Sequence, residues 1–191
     1  DKIILSNTHL RVGILNYGAI LQSVRMTGID YDLTLGSDMM TDYQGALQYN
    51  GSLIAPVVNR FTGAKARVSG QDYEFERNFL GKHSLHSGAA GVQHKIWAIA
   101  SATQDTVQLA LTLQDGDGGF PGLRHVTARF ALQGATLRMD VTMTSDRTTL
   151  WNAANHSYWN LDGTASFDGH HLQIMADHYL PTDSEFLPTG E

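Results

Sequence analysis

The chain has 191 residues, of which 42% are hydrophobic and 17% charged, and its formal net charge is -6 at pH 7. This composition predicts a globular domain with a sizeable core, and the small number of Lys and Arg residues, 13 in all, makes nucleic acid or an anionic membrane an unexpected partner. No apolar run approaches the roughly 20 residues that span a bilayer, and the absence of cysteine excludes disulfides and thiolate sites and fits a cytoplasmic protein.

Apolar and polar residues alternate with a period of two along most of the chain, which is the pattern of half-buried strands. In chain order, strands are predicted at residues 10–17, 19–26, 31–35, 72–75, 106–114, 126–132, 137–143 and 171–176. A single helical turn is predicted at 41–45. Many short strands with turns between them indicate an all-β protein, a large antiparallel β-sandwich. One domain over residues 1–191 is expected, without repeats or linkers.

The stretch of greatest chemical interest is Asn-His-Ser-Tyr-Trp-Asn-Leu at 155–161. Its polar side chains lie in an otherwise aromatic and apolar segment, which predicts a strand whose polar residues face a cleft. Histidine gives or takes a proton near neutral pH, so His156 is a candidate acid or base. The alternative is a core histidine with satisfied hydrogen bonds, which is the more frequent role of a lone histidine.

Two upstream stretches offer further candidates. Asn59 and Arg60 follow an apolar run, and a guanidinium is a multi-donor fork suited to hydroxyls and carboxylates; a surface Asn-Arg pair at a strand end is the favoured alternative when the pair is taken alone. The glycine-flanked loop at 81–88 holds two histidines. His83 is interpreted as a solvated loop residue, whereas for His86 the structural and functional interpretations are balanced.

No metal site is predicted. The loop at 114–122 is rich in Asp and Gly, but Gly119 occupies the third ligand position of a calcium-binding loop, so a turn is favoured. The His and Asp residues at 170–178 include the adjacent His170 and His171, which would point to opposite faces of a strand. Their spacing does not match known ligand sets.

Seven short motifs, taken together, resemble the aldose 1-epimerase (galactose mutarotase) family. In chain order they are Asn-Tyr-Gly-Ala at 16–19, Leu-Gly to Tyr at 35–43, Asn-Arg-Phe at 59–61, Leu-His-Ser-Gly at 85–88 with Trp97, Asp-Gly-Gly-Phe-Pro-Gly at 117–122, the stretch at 155–161, and Tyr-Leu-Pro-Thr-Asp at 179–183 with Pro-Thr-Gly at 188–190. Each motif alone is weak, but their order and spacing make the resemblance specific. Ser87 stands where the family has glycine, and we expect a small effect from this departure.

The resemblance implies a large antiparallel β-sandwich and the interconversion of the α and β anomers of free aldoses such as galactose and glucose. It implies that Asn59 and Arg60 bind sugar hydroxyls and that Tyr158 lines the site. His156 and His86 would be the catalytic pair, with His156 as the general acid at the ring oxygen and His86 holding the sugar near that oxygen. No cofactor or metal is implied, because protonating a ring oxygen needs only an acid.

The resemblance also implies a base that the chain does not show. In the family a Glu far downstream is the general base, and a sugar-binding Asp lies there too, whereas this sequence stops at Glu191, which belongs to a different motif. We therefore expect that the sandwich is incomplete at its C-terminal end. We expect it to be completed by a second polypeptide, or to self-associate.

Two other functions stay open at this point. One is a non-catalytic carbohydrate-binding β-sandwich that kept the sugar site. The other is a sugar-phosphate epimerase of the same superfamily, which would need additional Arg and Lys donors for the phosphate. The low basic content argues against the second.

Overall fold

The chain folds into antiparallel strands and tight turns. The structure is a computed structural model and describes residues 1–191. The strands are β1 (Lys2–Ser6), β2 (Leu10–Leu15), β3 (Ile20–Met26), β4 (Leu53–Ile54), β5 (Arg60–Phe61), β6 (Lys65–Val68), β7 (Gln71–Glu74), β8 (Ser84–Leu85), β9 (Ala98–Ala102), β10 (Thr106–Leu113), β11 (Arg124–Gln133), β12 (Thr136–Ser145) and β13 (Ala154–Asn155). Short 3-10 helices cover Met40–Gln44, Thr62–Ala64, Gly88–Ala90, Val92–His94 and Asp117–Gly119. None of the helices has the length and apolar character needed to cross a membrane.

Two sheets face each other, in the orders β1-β2-β3 and β12-β11-β10-β9. Along β11 the side chains alternate between buried and more exposed positions, as the period-two pattern requires. The buried side chains of both sheets form one core, which includes Leu5 and Val12 from the first sheet, Leu109 and Phe130 from the second, and Trp97. Since full burial of one such aliphatic side chain contributes about 1.5–3 kcal/mol, this shared core holds the sheets together. The predicted all-β antiparallel sandwich is confirmed.

Most predicted elements are confirmed within a few residues. The predictions at 10–17, 19–26, 72–75, 106–114, 126–132 and 137–143 correspond to β2, β3, β7, β10, β11 and β12, and the helical turn at 41–45 corresponds to Met40–Gln44. β11 and β12 pair across a turn at Gly134, where Gln133 lies opposite Thr136.

Two strand predictions are wrong. At 31–35 the backbone bonds go to two different elements, from the N–H of Leu33 to the carbonyl of Val24 and from the N–H of Leu35 to the carbonyl of Tyr158, so no ladder forms. Residues 171–176 have no backbone partner within the chain, and the side chain of Leu172 in this segment is 86% exposed. Both segments have period-two alternation, but a strand also needs a neighbouring strand with which its backbone can pair.

Two small ladders on the sandwich position the candidate site. β5 pairs with β8, which places Arg60 opposite Leu85. β4 pairs with β13, which places Leu53 opposite Asn155. The predicted strand at 155–161 is thus a two-residue strand, Ala154–Asn155, and His156 follows it at once.

Candidate functional site

His86 is fixed by three hydrogen bonds. Its backbone N–H donates to the carbonyl of Asn59 at 2.9 Å, and its own carbonyl accepts from the side-chain amide of Gln93 at 2.9 Å. The backbone N–H of Asn59 donates to the ring Nδ1 at 3.0 Å. Because Nδ1 accepts a hydrogen bond, the ring proton of the neutral imidazole lies on Nε2. His86 therefore presents an N–H donor to any ligand in front of it.

The surroundings of His86 also keep it neutral. Burial, and then the positive charges of His156 and Arg60, lower the pKa of His86 to about 4. Protonation would place a second N–H at Nδ1, facing the N–H of Asn59, so the hydrogen bond opposes the charged form as well. At neutral pH this ring is a fixed hydrogen-bond donor.

His156 is held by its backbone, and its ring is free. Its N–H donates to the carbonyl of Ser52 at 2.9 Å, and its carbonyl accepts from the N–H of Gly51 at 3.1 Å. Gly51 has φ +70, and a Cβ there would lie 2.1 Å from the carbonyl oxygen of Leu21, so only glycine fits. No group of the chain hydrogen-bonds to either ring nitrogen of His156. The side-chain hydrogen bonds of this segment are made by Asn155. Both nitrogens are available to a ligand.

The two imidazoles lie side by side within an aromatic cluster, which we define as His86, His156, Tyr49 and Tyr158. The ring centroids of His86 and His156 are 5.3 Å apart with the planes at 88°. Tyr158 lies 5.3 Å from His156, and Tyr49 lies 4.9 Å from His86 and 5.8 Å from His156. The cluster joins apolar ring faces to polar ring edges, so a ligand in front of it would meet both apolar surface and hydrogen-bonding groups.

Arg60 and Asn59 border this cluster. The Nη1 of Arg60 donates to the Oδ1 of Asn59 at 2.7 Å, and the charge of Arg60 acts on the His86 ring. The structure therefore brings together all the residues that the sequence singled out for the sugar site: Asn59, Arg60, His86, His156 and Tyr158.

Sequence reasoning missed Tyr49 and Gln93. Neither lies in one of the motifs, and each reaches His86 only through the tertiary fold. Burial, and then the charge of Glu76, raise the pKa of the Tyr49 hydroxyl, so Tyr49 stays protonated at neutral pH. No local signal in one sequence could have found these residues.

The interpretation of His83 as a solvated residue is wrong. Its side chain is buried, its Nδ1 accepts the backbone N–H of Gly63 at 3.0 Å, and its Nε2 lies 3.1 Å from the Oε2 of Glu185. The loop looked polar and glycine-rich, but the sequence could not show that the last residues of the chain fold back onto it.

Three non-glycine residues at the site have left-handed backbone conformations. The φ angles of Asn59, His86 and Ser87 are 69°, 53° and 63°. Such conformations cost free energy and persist where the surroundings enforce them. The hydroxyl of Ser87 accepts the N–H of Val57 at 2.9 Å and donates to its carbonyl at 3.1 Å. The serine that stands at the family's glycine position is thus held by its own side chain.

A separate polar depression of about 460 Å³ lies on the outer side of β1–β3 and shares no residue with the aromatic cluster. Two of its cations already pair with carboxylates, Lys2 with Asp38 at 3.2 Å and Arg25 with Asp32 at 3.0 Å. It contains no histidine and no aromatic ring. The candidate site is therefore the aromatic cluster with Arg60 and Asn59.

The neutral state of His86 leads to a testable pH dependence. We expect the ring resonances of His86 to titrate by NMR with a midpoint near pH 4, whereas in the urea-unfolded chain the midpoint should lie near the ordinary value of about 6.5. Between these values the unfolded chain binds a proton that the folded one does not, so the His86 contribution to stability falls as the pH falls. A midpoint above that of the unfolded chain would contradict the hydrogen bond from Asn59.

Comparison with known proteins gives consistent matches. A family model described as aldose 1-epimerase matches residues 1–191. The galactose mutarotases of Bos taurus and Homo sapiens are 31% and 32% identical over 197 and 196 residues, covering 100% of this chain and 57% of each relative. The aldose 1-epimerase of Escherichia coli (strain K12) is 32% identical over 189 residues, covering 96% of this chain and 54% of that protein.

Solved structures match as well. An aldose epimerase homologue from C. elegans superposes with a TM-score of 0.93 and 26% identity, covering 100% of this chain and 60% of that one. A galactose 1-epimerase from Lactobacillus acidophilus NCFM gives a TM-score of 0.82 and 27% identity, covering 98% and 56%. The chain thus spans little more than half the length of the proteins that it matches.

Proposed function

The chain belongs to the aldose 1-epimerase family, and from this premise we propose that it carries the acid side of a mutarotase site, which interconverts the α and β anomers of free aldohexoses such as galactose or glucose.

One observation supports this proposal above the others: the two adjacent imidazoles are set for different tasks. His86 has its Nδ1 occupied and a pKa of about 4, so it serves as a neutral donor. Both ring nitrogens of His156 are free of hydrogen bonds within the chain, and its ring centroid lies 5.3 Å from that of His86. Because the Nδ1 of His86 is already occupied by the N–H of Asn59, His156 is the imidazole of the pair whose two nitrogens can both exchange a proton with a ligand. We therefore assign the role of the acid to His156.

The mechanism follows from these roles. The protonated His156 gives its proton to the ring oxygen of the sugar as the bond between that oxygen and C1 breaks. A base removes the proton of the C1 hydroxyl, and C1 becomes the carbonyl of the open-chain aldehyde. After rotation about the C1–C2 bond, the two proton transfers run in reverse and the ring closes on the other face of the carbonyl. The Nε2–H of His86, Arg60 and Asn59 hold the sugar oxygens, while Tyr158 and Tyr49 line the sugar face.

The base belongs to the part of the site that these residues do not supply. No carboxylate of the chain hydrogen-bonds to His86 or His156; the nearby Glu76 accepts the backbone N–H of Ala89. Mutarotation needs an acid at the ring oxygen and a base at the C1 hydroxyl. We place the base in a segment corresponding to the part of the relatives that the chain does not match, borne by a second polypeptide or a longer form of the chain.

Polarimetry tests the proposal. The test uses a form of the protein that combines residues 1–191 with the unmatched part of a relative. This form should accelerate the change in optical rotation of freshly dissolved α-D-galactose or α-D-glucose. Binding of the sugar without any acceleration would instead support a non-catalytic carbohydrate-binding module. The absence of a carboxylate at the imidazole pair within this chain is the observation that favours that second candidate.

Arg60 is expected to act in binding more than in the chemical step. In the same form of the protein, Arg60→Ala should raise KM about 10- to 100-fold, because hydrogen bonds from a charged donor contribute about 1.5–3 kcal/mol. Arg67→Ala is the matched control, since that guanidinium is exposed on β6 and pairs with Asp72. An unchanged KM for Arg60→Ala would contradict the binding role.

A further inference from the structure

The guanidinium of Arg60 lies against two phenylalanine rings. Its central carbon is 4.5 Å from the ring centroid of Phe79 and 5.2 Å from that of Phe186. A cation is attracted to the face of an aromatic ring at these distances, and the planar guanidinium stacks on such a face. Two rings therefore limit the orientations open to Arg60.

Phe186 belongs to a small hairpin at residues 181–189, which we call the clasp. The carboxylate of Asp183 accepts the backbone N–H groups of Glu185 at 2.8 Å and Leu187 at 3.0 Å, and Thr182 bridges to Pro188. These hydrogen bonds are also the main cause that lowers the pKa of Asp183. The clasp has a defined turn even though it lies outside the two sheets.

A carboxylate fastens the clasp to the loop that carries Phe79. The carboxylate of Glu185 contacts the Nζ of Lys82 and the Nε2 of His83. Because the Nδ1 of His83 accepts the N–H of Gly63, its proton lies on Nε2 and is donated to Glu185. Phe79 belongs to the same loop, since its N–H donates to the carbonyl of His83 at 3.0 Å.

Neither burial nor backbone preference accounts for the position of Phe186. Its side chain is 60% exposed, and its backbone has φ 62°, a conformation that bulky residues rarely adopt. Phe186 is therefore not held in place by a hydrophobic core. The contact of its ring with the guanidinium of Arg60 is an interaction that can account for this position.

We propose that Phe186 is a positioning residue of the sugar site: together with Phe79 it stacks on Arg60 and fixes the plane in which the Arg60 donors meet the sugar. The inference rests on the sugar-binding role proposed for Arg60. A phenyl ring accepts no ordinary hydrogen bond in the guanidinium plane, so it orients Arg60 without occupying its donors. A carboxylate in the same place would occupy them.

The stacking can be tested by NMR, independently of any activity, in the form of the protein that combines residues 1–191 with the unmatched part of a relative. The Nε–Hε resonance of Arg60, identified by its loss in Arg60→Lys, should carry a ring-current shift that moves toward the random-coil value in Phe186→Leu. Glu185→Gln should move it in the same direction by loosening the clasp. Phe167→Leu is the control, because Phe167 is 75% exposed and has no contact with Arg60. An Arg60 resonance that is the same in Phe186→Leu and in the parent would overturn the proposal.

A binding measurement tests the consequence for the sugar. In the same combined form, Phe186→Leu should raise the Kd for D-galactose roughly three- to tenfold, the range that a cation–π contact supports, and Phe186→Tyr should restore it. Circular dichroism should show the same fold in all variants, since the replaced ring is mostly exposed. An unchanged Kd in Phe186→Leu despite a shifted Arg60 resonance would refute the positioning role. Failure of the parent protein to bind galactose would count against the proposed function, while the Arg60 resonance would still decide the stacking.

Discussion

Replacing His156 with glutamine is expected to lower kcat for mutarotation by about 10²–10⁴-fold and to change KM little. Glutamine can still hydrogen-bond to the ring oxygen, but it cannot give up a proton, so the ring must open without protonation at the leaving oxygen. The loss is felt in the transition state, where charge on that oxygen is greatest.

The measurement is initial-rate polarimetry across a range of α-D-galactose concentrations, with a form of the protein that contains both halves of the site. His125→Gln is the control, because His125 is exposed on β11 and contacts Thr112. A loss of kcat after His156→Gln, beside an Arg60→Ala effect mainly on KM, would support the separate roles. Equal and small effects of the two changes would contradict both.

Residues 1–191 alone are expected to show little or no mutarotase activity and to associate with themselves. β12 is an edge of its sheet, with no further strand on its outer side. Leu172, Met175 and Tyr179 are 86%, 89% and 83% exposed. Unpaired strand edges and contiguous apolar surface both promote association. Without a base at the C1 hydroxyl, only positioning and the acid would be left to act.

Purification of this span, light scattering for its mass and polarimetry for its activity test the prediction. Leu172→Asp combined with Met175→Asp should raise the monomer fraction without loss of the fold, because both side chains are exposed. A polypeptide corresponding to the part of the relatives that the chain does not match should restore monodispersity and activity together. A monodisperse, fully active monomer would show that the base lies within these residues and that the alignment of the chain end to the family is wrong.

Much of the sandwich was predictable from the sequence because long strands such as β11 alternate along their whole length. Along β11, Val126, Ala128, Phe130 and Leu132 all face the core, so one face of the pattern is uniformly apolar. The two wrong strand predictions have one cause: alternation describes a face of a strand and says nothing about a pairing partner. Residues 171–176 carry the pattern, yet no strand of the chain lies beside them.

The candidate site was predictable where local motifs carried it and not where folding assembled it. His156, His86 and Arg60 stood out from their neighbours and from the family resemblance. Tyr49 and Phe79 reach the site only through tertiary packing, so their sequence neighbourhoods contain no signal. The burial of His83 depends on the clasp, which lies about a hundred residues further along the chain.

The left-handed backbone at position 86 favours glycine, whereas the contacts of the imidazole ring favour histidine. Glycine adopts this conformation at no steric cost, but His86→Gly would also remove the ring that accepts the N–H of Asn59 and packs against Tyr49 and His156. The same change would remove the neutral donor on which the proposed sugar contact depends. Libraries of this protein selected for heat resistance alone should therefore gain little from glycine at position 86, whereas libraries selected for sugar turnover should exclude it.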